Sequence, residues 1–172
     1  MGWGKITMKA KNYRQVKGQA YTRKEYIRGS PAPKITKFTM GDSKGEFEYQ
    51  ALLLAKREAQ VSHIALEAAR VAANRVLTDK LGESYLLRIV PYPHNVLREN
   101  KMIFGAHADR LQDGMRRAFG KPIGTAARVK VDQPMILIRI NENGIEAAKE
   151  ALRLGGIKLP VPSKIIIEKV AD

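Results

Sequence analysis

The uneven distribution of charge is the feature that most constrains what this chain can fold into. Residues 1–37 hold ten lysines and arginines against a single acid, Glu25, and residues 98–130 hold eight against three. The segments 38–97 and 131–172 are each neutral, with seven and six groups of either sign. The whole excess of +14 therefore lies in two stretches. Solubility alone requires no such segregation. Self-repulsion on this scale disfavours a compact state unless a polyanion relieves it. The pattern implies a neutral scaffold carrying two basic contact zones. Nucleic acid ranks first as the partner, ahead of an anionic membrane or acidic proteins.

The scaffold is expected to hold the regular structure. Hydrophobic residues make up 44% of the 172, enough for one domain with a core. Strands are predicted at Lys34 to Thr39, Glu46 to Ala55, Tyr85 to Val90 and Lys164 to Val170, with Thr125 to Val131 and Pro134 to Ile140 as a pair around Asp132-Gln133. Ser62 caps a predicted helix running to about Leu81, stopped by Gly82, with Ile64, Ala68, Val71, Ala72 and Val76 as its apolar stripe. Asn141 caps a second helix through about Leu154, before Gly155-Gly156. Strands joined through hairpins, with two main helices, give an α+β sandwich more readily than a doubly wound sheet.

The basic zones have a different texture. Residues 1–33 lack sustained periodicity and are read as an extended arm ordered by its partner. In it Trp3, Tyr13, Tyr21 and Tyr26 alternate with Lys9, Lys11, Arg14, Lys17, Arg23, Lys24 and Arg28, and Lys34 follows. Cations neutralise phosphates and aromatic faces stack on unpaired bases. Anchoring of the same aromatics on the protein's own domain is the other reading. Residues 105–124 form a long basic internal loop with glycines at 105, 114, 120 and 124. Arg110, Arg116, Arg117, Lys121, Arg128 and Lys130 bring six cations to it or its flank. Arginine forks match phosphate oxygens, and glycines allow close backbone approach.

Catalytic signatures are missing from the sequence. Gly114 to Lys121 has five residues between its glycines, and Pro122 stands where a phosphate-binding loop needs a hydroxyl. His63, His94 and His107 share no metal-ligand spacing, and no Gly-x-Ser-x-Gly occurs. With no cysteine there is no disulfide framework and no thiolate site. No catalytic residue, cofactor or metal is expected. The longest aliphatic run, Ala51 to Ala55, is far short of a membrane span, so a cytoplasmic protein without membrane association is expected.

Three stretches carry a family resemblance. They are Tyr26 to Ile35 (YIRGSPAPKI), Pro91 to Met102 (PYPHNVLRENKM), and Ala108 to Pro122 (ADRLQDGMRRAFGKP) continuing through Gly124 and Thr125 to Ala127-Arg128-Val129. In order and spacing, along nearly the whole chain, they resemble the large-subunit ribosomal proteins called L-ten-e in archaea and eukaryotes, the counterpart of bacterial L-sixteen. The resemblance implies an α+β fold of the L-sixteen type docked into large-subunit rRNA near the tRNA-binding cleft. It implies that the third stretch points towards the peptidyl-transferase centre and bound tRNA, with Arg110, Arg116, Arg117 and Lys121 as RNA contacts. Arg28 and Lys34 would belong to the rRNA-bound arm. Partners would be rRNA, tRNA and neighbouring large-subunit proteins, with a monomer when free. The absence of cysteines and of a long basic tail points to an archaeal-type member, and Arg117 stands where eukaryotic members tend to carry glycine. A free-standing RNA-binding regulator would explain the charge equally well but gives no reason for the third stretch.

Overall fold

Residues 16, 18–100 and 120–170 are described by the computed structural model. Eight strands, β1 (Thr39–Gly41), β2 (Tyr49–Ala55), β3 (Ala59–Ser62), β4 (Leu86–Ile89), β5 (Asn95–Glu99), β6 (Lys121–Val129), β7 (Pro134–Ile140) and β8 (Ser163–Lys169), accompany two helices, α1 (His63–Leu81) and α2 (Ile145–Ile157). The strands form a five-stranded sheet ordered β1-β4-β7-β2-β8 and a three-stranded sheet ordered β3-β6-β5, with antiparallel pairing throughout.

The most apolar run takes the middle of the larger sheet. In β7, Met135, Ile136, Ile138 and Ile140 are all buried. Across the ladders, Leu53, Ile136 and Ile89 form one row and Ala51, Ile138 and Leu87 the next. Both rows belong to the core, and the two helices lie over them. Each such aliphatic side chain contributes roughly 1.5–3 kcal/mol on burial. The smaller sheet adds the inner side of its own strands, Ala59, Val61, Ala127 and Val129, to the same core.

The α+β architecture and both helices match the sequence expectation, including the Ser62 cap, whose Oγ accepts from Ala65 N–H at 3.3 Å, and the left-handed Gly82 that ends α1. Other expectations are corrected. The buried stripe of α1 is His63, Leu66, Ala69, Ala73 and Leu77, whereas Ile64 is 61% and Val71 50% exposed. An alanine-rich helix offers several apolar arcs with the same 3–4 spacing. The arc chosen is the one where Leu66 and Leu77, three turns apart, share a face.

Gly155-Gly156 does not stop α2 but lies inside it. A Cβ on Gly155 would sit 3.0 Å from Ile136 Cδ1 and 3.6 Å from Ala73 Cβ, so the glycine lets α2 approach both β7 and α1. Asn141 opens a 3-10 turn, Glu142–Gly144, rather than the helix itself. The strand expected from Lys34 begins only at Thr39. It ends at Gly41, at φ 81, where any side chain would run into the Tyr85 carbonyl.

β6 and β7 are not a pair. β6 joins the small sheet and β7 the large one, and the Asp132-Gln133 turn carries the chain between them. Asp132 N–H donates to Ala55 O at 2.8 Å and Ala55 N–H to Gln133 O at 3.1 Å, tying that crossover to the end of β2. Asp132 takes a positive φ of 58, which a short polar side chain tolerates. Except for β5 and β6, the ladders join strands distant in sequence, so hairpins do not dominate the pairing. Two strands, β3 and β5, were not anticipated. β6 starts at Lys121, so the last four positions of the expected 105–124 loop are strand.

Candidate nucleic-acid interface

The small sheet has a second face, and its residues explain how the basic arm is held. Alternation places Gln60 of β3, Arg128, Ala126 and Gly124 of β6, and Asn95 and Leu97 of β5 on the side away from the core, by the register Gln60↔Arg128, Asn95↔Ala126 and Leu97↔Gly124. Gln60, Asn95 and Ala126 are nevertheless buried. Residues 18–34 cross here, and their backbone meets the polar side chains of the sheet.

Tyr21 N–H donates to Asn95 Oδ1 at 2.8 Å, and Val96 N–H donates to Tyr21 O at 2.9 Å. Asn95 Nδ2 donates in turn to Gln60 Oε1. Both Asn95 functions are thus engaged, which a buried amide requires. Arg128 Nη1 donates to Gly18 O at 2.6 Å and Nη2 to Gln19 O at 3.2 Å. At the far end of the crossing, Lys34 N–H donates to His63 Nδ1 at 2.8 Å. His63 Nε2 therefore carries the ring proton. It lies over Gly124, where a Cβ would come within 2.8 Å of it. Burial, and then the neighbouring Lys34 charge, hold the imidazole pKa below its ordinary value. Ile27 is the arm's buried apolar anchor.

These bonds engage the backbone of residues 18–34 and leave its cations outward. Arg23, Lys24, Arg28 and Lys34 are exposed, as is Tyr26, at 75%, in a 3-10 turn (Lys24–Tyr26). Ion pairs among the described residues are Glu67–Arg70, Arg75–Asp79, Lys80–Glu150, Glu146–Lys149 and Asp132–Lys164. None involves the arm, Lys121 or Lys130. The open groove of about 570 Å³ between α2 and β8 is of mixed charge, with Lys80 paired to Glu150, Lys149 to Glu146, and Arg153 also in its lining.

The structure separates residues that the sequence grouped. Lys121 and Lys130 stand at either end of β6, roughly 30 Å apart at the usual rise per residue. Arg128 uses its guanidinium on the arm's carbonyls. Trp3, Tyr13, Arg14, Lys17, Arg110, Arg116 and Arg117 lie outside the described residues. Sequence reasoning missed Gln60, Asn95 and His63 as the arm's seat. Only the position of Asn95 inside the second family stretch signalled it. Among the described residues no cluster of His, Asp and Glu could hold a metal ion, and no helix is long and apolar enough to cross a membrane.

The family described as "Ribosomal protein L16p/L10e" matches residues 16–166. Similar proteins include the large ribosomal subunit protein uL16 of Picrophilus torridus, 48% identical over 95% of this chain and 94% of that protein. That of Staphylothermus marinus is 52% identical over 92% of each chain, and that of Sulfolobus acidocaldarius 51% identical over 90% of each.

Proposed function

This chain belongs to the ribosomal protein L16p/L10e family, and from that membership we propose that it is a non-enzymatic constituent of the large ribosomal subunit. It binds rRNA and helps organise the tRNA-binding cleft near the peptidyl-transferase centre. The observation that carries the RNA-binding part is the seating of residues 18–34. Backbone bonds hold this segment on the small sheet while Arg23, Lys24, Arg28 and Lys34 are exposed, with no acidic partner among the described residues. A segment so arranged presents phosphate-binding groups on a fixed support.

In this reading residues 1–172 are one ribosomal domain, with the arm 1–33 and the segment 105–124 as its RNA-facing extensions. Trp3, Tyr13, Arg14 and Lys17 continue the arm's contacts. Arg110, Arg116, Arg117 and Lys121 serve the rRNA and tRNA near the cleft, and Lys130 adds a phosphate contact at the other end of β6. Arg128 acts for RNA by fixing the arm. The protein is a monomer before it joins the subunit.

Sedimentation of a tagged copy from lysate, with footprinting of rRNA and tRNA on the fractions, tests this. Residence in large subunits, with tRNA-cleft protections that vanish when residues 108–122 are shortened, is expected. Migration as a small free particle at moderate salt would replace it with a free-standing RNA-binding regulator. If six to ten cations contact phosphates, rRNA affinity falls by roughly 10³ to 10⁵ between about 50 and 200 mM salt. A flat response would remove the electrostatic argument.

A further inference from the structure

Two tyrosines of the arm take opposite places in its seat. Tyr21 is tied down through its own backbone, its N–H donating to Asn95 Oδ1 and its carbonyl accepting Val96 N–H. Tyr26, five residues on, is 75% exposed, and its ring meets no other aromatic among the described residues.

An exposed ring on a loose chain would mean little, but this one is fixed. Tyr26 N–H donates to Arg23 O at 3.2 Å and Ile27 N–H to Lys24 O at 3.0 Å, which closes the 3-10 turn. Ile27 is buried, so the turn is pinned to the domain one residue beyond the ring. The bonds at Tyr21 and at Lys34 hold the segment on either side. The backbone therefore has little freedom to lose when a ligand meets the ring.

Chain geometry brings cations to the same ring. Arg28 lies two residues on, at most roughly 7 Å away between Cα atoms. It is exposed, with buried Ile27 between it and Tyr26. The bond from Tyr26 N–H closes Arg23 to within about 7 Å as well. Lys24 belongs to the turn itself. All three are exposed, and none is ion-paired among the described residues. Glu25 is the one acid here, so cations outnumber acids three to one across residues 23–28. Gly29 follows at φ 74, with open space where a side chain would stand, so the backbone next to Arg28 admits a close approach.

A flat exposed face among surplus cations suits a ligand that joins a π-surface to negative charge. An unpaired nucleotide does so within one residue. A base stacked inside a duplex offers the ring no free face. An apolar protein segment would cover Tyr26 and leave Arg23, Lys24 and Arg28 unanswered.

We propose that Tyr26 is the stacking platform for one unpaired rRNA base, with Arg23 and Arg28 serving the adjoining phosphates. Tyr21 only holds the segment in place. The proposal rests on the reading of the chain as an rRNA-bound protein and adds a base contact to it, where cations alone would meet backbone. Every base has a π-face, so the site selects an unstacked nucleotide rather than a sequence.

The test uses the full chain, with affinity for large-subunit rRNA measured over a range of salt and base reactivity probed chemically in assembled subunits. Tyr26→Leu removes a π-face and no charge. It is expected to weaken binding roughly 5- to 150-fold at every salt concentration and to unmask one unpaired base. The slope of log affinity against log salt should stay as in the wild type. Arg28→Gln removes a charge and no π-face, and should reduce that slope by about 1. Tyr26→Phe retains the ring and should retain both the affinity and the protection. Unchanged affinity of the Leu variant, with every base as in the wild type, overturns the proposal. So does an equal loss in the Phe and Leu variants, which would make the hydroxyl the contact and not the ring. A wild-type chain that neither binds rRNA nor enters large subunits removes the rRNA reading, and this one with it.

Discussion

The two sheets of this protein are held by different physics. On the five-stranded sheet, aliphatic rows pack under two helices, and the polar surface around them is settled by ion pairs such as Glu67–Arg70 at 2.5 Å and Lys80–Glu150 at 2.5 Å. On the outer side of the three-stranded sheet, buried amides and a guanidinium bind backbone, and Arg23, Lys24, Arg28 and Lys34 stand exposed with no ion pair among the described residues. A core of the first kind is stable by itself. A face of the second kind holds a segment in place for something else to meet. The difference separates a region that makes the fold from a region that presents charge.

The comparison breaks most visibly at α1. Leu66→Ala removes a fully buried side chain from the common core and is expected to cost about 2–5 kcal/mol. Ile64→Ala, two residues away on the exposed face, should stay within about 0.5 kcal/mol. Urea unfolding of the two variants measures both. Equal effects would mean that the helix is not rotated as described.

Asn95→Ala attacks the other region. It leaves Tyr21 N–H without its acceptor and removes the Asn95 donor to Gln60 Oε1, a loss of about 1–3 kcal/mol. The telling readout is its location. Limited proteolysis should open residues 18–34 while the strands of the large sheet keep their hydrogen-exchange protection. Uniform loss of protection would show that the two regions unfold as one unit and that the contrast drawn between them is false.

These two experiments also mark what the sequence could show. The charge segregation, the long apolar strands and both ends of α1 depend on neighbours within a few residues, and all were legible. The arc of α1 that is buried was not, because Ala68, Ala72, Ala69 and Ala73 offer both faces alike and only the distant sheet decides between them. Gly155-Gly156 looked like a helix stop because a close approach to Ile136 and Ala73 has no local signature. The seat of the arm was hidden for the same reason. Arg128 reaches carbonyls 110 and 109 residues earlier in the chain, and Asn95 meets Tyr21 across 74. Arg128 was visible as a cation, but its use inside the protein was not.

Arg128→Lys sharpens this point with a smaller effect. Lysine keeps the charge but cannot span the Gly18 and Gln19 carbonyls as a fork does. A loss of about 1 kcal/mol is expected in arm protection, with no change in the large sheet. If the charge alone mattered for RNA, rRNA affinity would be unchanged. If Arg128 acts by fixing the arm, affinity falls in the full chain, and the same substitution has no effect in a chain lacking residues 1–20.

The gentlest way to part the two regions is acid. His63 accepts Lys34 N–H through Nδ1, so a protonated ring loses that bond and faces the Lys34 charge as well. Its folded pKa lies below the unfolded value of about 6.5. The unfolded chain therefore takes up the proton first. The contribution of His63 is complete above about pH 6.5 and drains away as the pH falls through the folded pKa. In the other region, Glu67 is held below its ordinary pKa by its hydrogen bond from Arg70, so its contribution persists until the pH reaches the carboxylate range. Between these two windows the arm should loosen while α1 and the large sheet stay protected. Hydrogen exchange at Lys34 and along residues 18–34, followed from neutral pH downward, reads this directly. A His63→Gln chain, which can accept the same bond but cannot titrate, should show a flat profile. If its arm loosens with pH as the wild type does, another group controls the seat and His63 only occupies it.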